Sequence, residues 1–127
     1  MEQAVDVFYT RDDDWIAVDG DIATVGITDY AQVQLGAILF VQLPPAGTIL
    51  VRGQEAVLVE SIKAAADLLA PIGGTVVEAN VALEREPSLL NTAPEAAGWL
   101  FRMTIGDKAE LANLLSRETY LARVKRM

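Results

Sequence analysis

The chain contains neither cysteine nor histidine. Without cysteine the polypeptide has no disulfide, no thiolate nucleophile and no sulfur-ligated metal site. Without histidine it lacks the commonest general base and the commonest metal ligand. Carboxylates alone can run some reactions, but redox or acyl chemistry would need a cofactor to bring it. Lysine is nearly as scarce, confined to Lys63, Lys108 and Lys125. Long apolar runs are missing too. Stretches such as Ala37-Ile38-Leu39-Phe40-Val41 are strand-sized, whereas a membrane span needs about 20 residues. No basic, apolar leader precedes the first charged residues, so the expected compartment is the cytoplasm, or the mitochondrial matrix for a trimmed eukaryotic protein.

What is present is mostly acidic and apolar. Eighteen acidic residues against ten basic ones leave a formal net charge of -8. Nucleic-acid binding relies on Lys and Arg neutralising phosphates, which this balance disfavours. It suits a dissolved protein that meets basic surfaces. A length of 127 residues with 52% apolar content suits one domain and is short for two. The reading is one domain over 1–127, with a core at about 9–106 and C-terminal helices at about 107–125, expected as a monomer.

Turn formers divide the chain into short strands. Trp15–Val18 and Ile22–Val25 flank Asp19-Gly20, a dipeptide suited to a tight hairpin turn. Thr28 then caps a short helix, with Asp29 in its first turn and Gly36 as its stop. Strands are predicted at Ala37–Leu43, Ile49–Val51 and Ala56–Ser61, separated by Pro44-Pro45-Ala46-Gly47 and Arg52-Gly53-Gln54. A further pair is predicted at Leu68–Pro71 and Thr75–Ala79, and a last strand at Trp99–Ile105. Asp107 and Glu110 have capping-box spacing, and Ser116 marks a second cap before Tyr120, Leu121 and Val124. The fold class is α+β and mostly antiparallel β, with a short internal helix and C-terminal helices. Trp15 and Trp99 are expected in the core.

Lys63 is the only lysine in the β region, within Val59-Glu60-Ser61-Ile62-Lys63-Ala64-Ala65-Ala66-Asp67. Strand signals on either side put it near the tip of a hairpin. An exposed turn lysine is the ordinary reading, since Lys is mostly exposed. The segment Val59–Ala65, however, resembles the lipoylation motif of glycine cleavage H proteins. Gly26-Ile27-Thr28-Asp29-Tyr30-Ala31-Gln32 resembles a second hallmark of that family. Phe40-Val41 with Leu43-Pro44 and Gly47 resembles a third. A fourth runs in order through Pro71, Gly74, Val76, Glu78, Asn80, Leu83, Pro87, Leu90, Asn91, Pro94 and Gly98-Trp99-Leu100. Together they cover roughly residues 9 to 121.

The resemblance implies a lipoyl/biotinyl-type flattened barrel-sandwich of two antiparallel sheets, with lipoate joined by an amide to Lys63 on an exposed hairpin. It implies a carrier rather than an enzyme. A pyridoxal-phosphate glycine decarboxylase would load the arm with an aminomethyl group. A folate-dependent aminomethyltransferase would unload it, and dihydrolipoamide dehydrogenase would reoxidise it. A lipoate ligase or transferase would attach the cofactor, with Glu60, Ser61 and Ala64 as its recognition residues. Glu60 and Ser61 could equally be polar residues on an open strand face. Asp14 and Asp67 match positions that would shelter the cationic aminomethyl group, although acidic residues near turns are commonly just solvated. Three departures surround these places: Asp13-Asp14 where the family often has His-Glu, Leu69 where Tyr is common, and Ala96-Ala97 for an aromatic-Gly pair.

Two other readings share the same residues. One is an H-like relay that hands lipoyl from Lys63 to 2-oxoacid dehydrogenase subunits. The other is an unmodified interaction domain of the same fold. A biotin carrier is excluded because its lysine usually sits between methionines, whereas Ile62 and Ala64 flank Lys63. A stand-alone hydrolase fits least.

Overall fold

Period-two alternation organises most of the chain in the computed structural model, which describes residues 5–125. Strands β1 (Asp6–Tyr9), β2 (Asp14–Asp19) and β3 (Ile22–Ile27) form an antiparallel meander. Helix α1 (Asp29–Leu35) follows, capped as expected: the Thr28 Oγ1 accepts from Ala31 N–H at 3.2 Å, and Gly36 at φ 79° ends it. Next come β4 (Ile38–Gln42), β5 (Ile49–Leu50), β6 (Glu55–Ser61), β7 (Ala65–Leu69) and β8 (Gly74–Ala79). Two single-turn helices, α2 (Ala82–Arg85) and α3 (Leu89–Thr92), lead to β9 (Phe101–Ile105). A 3₁₀ segment at Lys108–Asn113 precedes α4 (Arg117–Lys125).

The strands form two antiparallel sheets, ordered β1-β2-β3-β9-β8-β5 and β4-β6-β7. The expected flattened sandwich of two sheets is what the chain builds, and neither sheet closes into a barrel. Between the sheets lies the main core, including Ile16, Val25, Phe101 and Met103 from the larger sheet and Val41, Val57 and Val59 from the smaller. Fully burying each such aliphatic side chain contributes about 1.5–3 kcal/mol against conformational entropy. No described helix is long and apolar enough to cross a membrane.

The outer face of the larger sheet carries a second cluster. Trp15 alternates with Ile16 and so points away from the main core, where it meets Tyr9 and Tyr120. The Tyr9 and Tyr120 rings stack with centroids 4.8 Å apart, which pins α4 across β1 and β2. Of the two tryptophans expected in the core, Trp15 is buried. Trp99 is only half-buried, with the Arg102 guanidinium 4.0 Å above its ring.

Several sequence expectations need correction. The pair at Leu68–Pro71 and Thr75–Ala79 does not exist. The first strand begins earlier, at Ala65, and pairs with β6, while β8 pairs with β5 and β9 in the other sheet. Pro71, which has no N–H to give a ladder, falls in the link between sheets. The capping box at Asp107 is half made: Asp107 Oδ1 accepts from Ala109 N–H, but Glu110 reaches away to accept from Gly73 N–H at 2.7 Å. The turn that follows is accordingly 3₁₀ rather than α. Strand β1 and helices α2 and α3 were not anticipated, being four residues each.

Candidate functional site

Lys63 occupies the tip of the β6–β7 hairpin. The Ser61 backbone N–H donates to Ala64 O at 2.9 Å, closing the turn. Ser61 Oγ accepts from the N–H groups of Lys63 (3.2 Å) and Ala64 (3.3 Å) and donates to Ala64 O. This hydroxyl turn is a local substitute for backbone pairing. Ile62 N–H donates to Ala37 O at 3.0 Å, tying the tip to the segment after α1. The backbone is therefore held while the side chains of Ile62, Lys63 and Ala64 stay exposed. Glu60 is exposed on β6 opposite Ala65, and Ser61 is half-buried because its hydroxyl serves the turn.

The Lys63 side chain lies along the end of α1. Its Nζ donates to Gln34 O at 3.4 Å, an open carbonyl at a helix C-terminus, where a cation is favoured. Gly36 makes room for the stem, since a Cβ there would stand 3.3 Å from Lys63 Cε. Asn91 fixes this corner. Its Nδ2 donates to Gly36 O (2.8 Å) and Gln32 Oε1 (3.0 Å), and its Oδ1 accepts from Ile38 N–H (2.9 Å).

At the other end of α1 sits Asp14. The Asp13 carbonyl accepts from Thr28 N–H, and Asp14 faces Ile27 across the sheet. Seven helical residues separate the two ends, or about 10 Å at 1.5 Å per residue. Asp14 is 4% exposed, and Thr10 Oγ1 donates to its carboxylate at 3.0 Å. Burial pushes its carboxyl up to about 7, helped by the neighbouring Asp12 and Asp13 charges and opposed by the Thr10 hydrogen bond. Asp14 lines a cavity of about 350 Å³ with Arg11, Arg52, Leu69 and Leu114 among its walls.

Tyr120 locks this end in place. Its hydroxyl donates to Asp13 Oδ1 (3.0 Å) and lies 2.7 Å from Thr28 Oγ1, so a single chain runs from Thr28 through Tyr120 to Asp13. Burial holds the phenol well above its ordinary value. Asp13 itself adopts φ 67°, a left-handed conformation that Asp tolerates better than most residues.

The two paired acidic candidates are not brought together. Asp67 is exposed on β7 and lines a different cavity, of about 340 Å³, with Gln42, Gln54 and Leu58. Sequence reasoning also gave no positioning role to Asn91, Tyr120 or Thr10. Asn91 carried a signal, as an Asn among the family-like positions; Tyr120 acts across the fold and carried none, whereas Thr10 acts only four residues away on Asp14, a local turn contact that the sequence reading passed over.

The family model for the glycine cleavage H-protein matches residues 7–127. The chain belongs to that family. A glycine cleavage system H protein of Methylocella silvestris is 50% identical over 117 residues, which are 92% of this chain and 94% of the relative. That of Thermotoga maritima is 46% identical over 88% of this chain and 90% of its own length. A crystal structure of a glycine cleavage system H protein from Mycobacterium marinum aligns with a TM-score of 0.83 at 34% identity, covering 98% of this chain and 99% of that one. The family is one of lipoyl carriers, not enzymes.

The corner around Lys63 fits such a group. An amide at Nζ needs an exposed amine on a backbone that does not move with it, and the Ser61 turn supplies that. Ala64, small and exposed, leaves the approach to the amine open, while Gly36 makes room for the lysine stem.

Proposed function

We propose that this chain carries lipoate on Lys63 and shuttles the aminomethyl group of glycine between the enzymes of the glycine cleavage system. The partners in this reading are glycine decarboxylase, aminomethyltransferase and dihydrolipoamide dehydrogenase, with a lipoate ligase or transferase making the attachment. When bound, the lipoyl group supplies the pair of sulfurs that this cysteine-free polypeptide lacks. The relatives named above are bacterial, and in a bacterium this reading places the chain in the cytoplasm.

One observation carries the reading: the only lysine of the β region stands exposed on a turn whose backbone is held by Ser61 and by Ala37. Glu60 and Ala64 flank it on the open side and are the surface an attaching enzyme would read. Asp14 supports the sheltering role. It pairs with Ile27 just before α1, at the opposite end of that helix from the lysine, and its carboxylate is nearly covered, where a negative charge holds a cation more strongly than at the surface. Because its carboxyl titrates near 7, this hold weakens below neutrality. Asp67, on the exposed strand between the lysine and the Asp14 cavity, contributes charge at the approach rather than within the cavity.

The test is an intact mass of the chain expressed with lipoate and a lipoate ligase, beside Lys63→Arg. A single lipoyl increment that disappears in the variant supports the carrier reading. A folded chain with no increment removes it.

A further inference from the structure

The charge of this chain is unevenly placed. Residues 1–107 hold sixteen acidic and five basic side chains, whereas residues 108–127 hold two and five. An acidic body thus carries a basic C-terminal end. The fold decides where that end goes. Tyr120 pins α4 over β1, and Arg123 Nη2 donates to the Arg11 carbonyl at 3.4 Å. Arg11 in turn lines the Asp14 cavity together with Arg52.

None of these three arginines is used inside the fold for ion pairing. Among the described residues only Arg102 and Lys108 form ion pairs, with Glu78 and Asp21. Arg11, Arg52, Arg117 and Lys125 are exposed. Arg123 Nε is covered without an acceptor, and among the described residues this guanidinium has one long hydrogen bond, to the Arg11 carbonyl. Unpaired cations are unexpected on a surface that offers so many carboxylates, because nearby opposite charges ordinarily find one another.

From this we infer that Arg11, Arg52 and Arg123 form a docking face for an acidic patch on a partner protein of the shuttle. The inference rests on the carrier reading and adds where the partner binds. Its place follows from the cavity. A partner seated on Arg11 and Arg52 covers the mouth of the Asp14 cavity, where a sheltered cation would be received or given up. Its sign follows from the rest of the chain. The mostly acidic remainder of the body repels an acidic partner, so attraction here and repulsion elsewhere together fix the orientation of approach.

Other anionic partners fit less well. A membrane-binding helix lays an apolar face into lipid, but Tyr120 and Val124 are already committed to the second cluster. Leu121 is the one large apolar side chain that α4 leaves exposed. A nucleic acid would meet the strongly acidic remainder of the surface.

The experiment uses the lipoylated chain as the varied substrate in separate assays of glycine decarboxylase and aminomethyltransferase. Arg11→Glu/Arg52→Glu is compared with the triple variant that adds Arg123→Glu. Arg85→Glu is the control, an exposed cation in a separate cavity beside Val81 and Leu89. For at least one enzyme the double variant should raise KM roughly tenfold at low salt and flatten its salt dependence. The control should do neither. The double variant leaves α4 intact, so a poorly folded triple variant does not blur the answer. Unchanged KM for both enzymes, in a variant shown by mass to be lipoylated, overturns the docking inference and leaves the carrier reading standing. So does loss of binding to anionic vesicles with unchanged KM. A wild-type chain that takes no lipoyl group removes the carrier reading and this inference with it.

Discussion

The two ends of α1 are built in opposite ways. At the Lys63 tip the backbone is fixed and the side chains of residues 62–64 are exposed: a hydroxyl turn holds residues 61–64 while Ile62 is 65% exposed. At the Asp14 end the side chains themselves are fixed. Asp14 is bonded to Thr10, Thr28 to Tyr120, and Tyr120 to Asp13. A carrier benefits from this division. In the proposed reading the attachment point must be reached by several enzymes, whereas the proposed receiving site would work by keeping charge and cavity in a fixed place. Stability should therefore be sensitive to change at one end and indifferent at the other.

The largest effect is expected at Gly26, which lies opposite Trp15 in the sheet. A Cβ there would approach the indole ring to 2.5 Å. The ring cannot swing away freely, because its Nε1 donates to Pro94 O at 3.0 Å from within a buried site. Gly26→Ala should destabilise the chain by roughly 3 kcal/mol, with a fall in melting temperature of about 10 °C. A shift of only a degree or two would show that this end yields as readily as the other.

A smaller effect, with a pH signature, is expected at Asp14. Its carboxyl titrates near 7 in the folded chain against an ordinary 3.8. Between those values the folded chain keeps a proton that the unfolded chain has released. Stability must then fall as pH rises through the window, and level off above it. Asp14→Asn removes this titration. At pH 8 the variant should be more stable by about 2 kcal/mol, less than the full shift implies because the new amide brings donors of its own. Near pH 4 the two proteins should melt alike. A parallel pair of melting-versus-pH curves would show that Asp14 is not held as the geometry indicates, and the contrast between the ends would lose its electrostatic half.

Legibility in the sequence divides along the same line. The turn at Lys63, the cap at Thr28 and the stop at Gly36 were readable because short-range rules determine them. Ser, Thr and Gly act within three or four residues of their own position. The second cluster was not readable. Tyr120 meets Asp13 across 107 positions of sequence and Thr28 across 92, and no local pattern announces such a partner. The cavity that Asp14 shares with Arg52 and Leu114 is hidden for the same reason. Strand β7 shows an intermediate case: its apolar content was visible, but Ala65–Ala66 gave too weak a strand signal to fix where it starts or which sheet it joins. The family-like motifs bridged much of that gap for the overall fold, yet they did not show that Asp14 and Asp67 line separate cavities.

The smallest expected effect is at Lys63 itself, and its smallness is the point. Lys63→Gln removes the ammonium that donates to Gln34 O at 3.4 Å, a long hydrogen bond in an exposed place. Such contacts contribute little, because water competes for both partners and ions screen the charge. The turn survives the change, since Lys63 enters it only through its backbone N–H. Melting temperature should therefore stay within about 2 °C of the parent, equivalent to about 0.5 kcal/mol or less. A larger loss would mean that the lysine braces the end of α1 through Gly36. Attachment of a group at Nζ, which removes the same charge, would then loosen that helix. Melting the lipoylated and unmodified chains side by side separates the two cases, because a lysine that supports nothing can be modified at no structural cost.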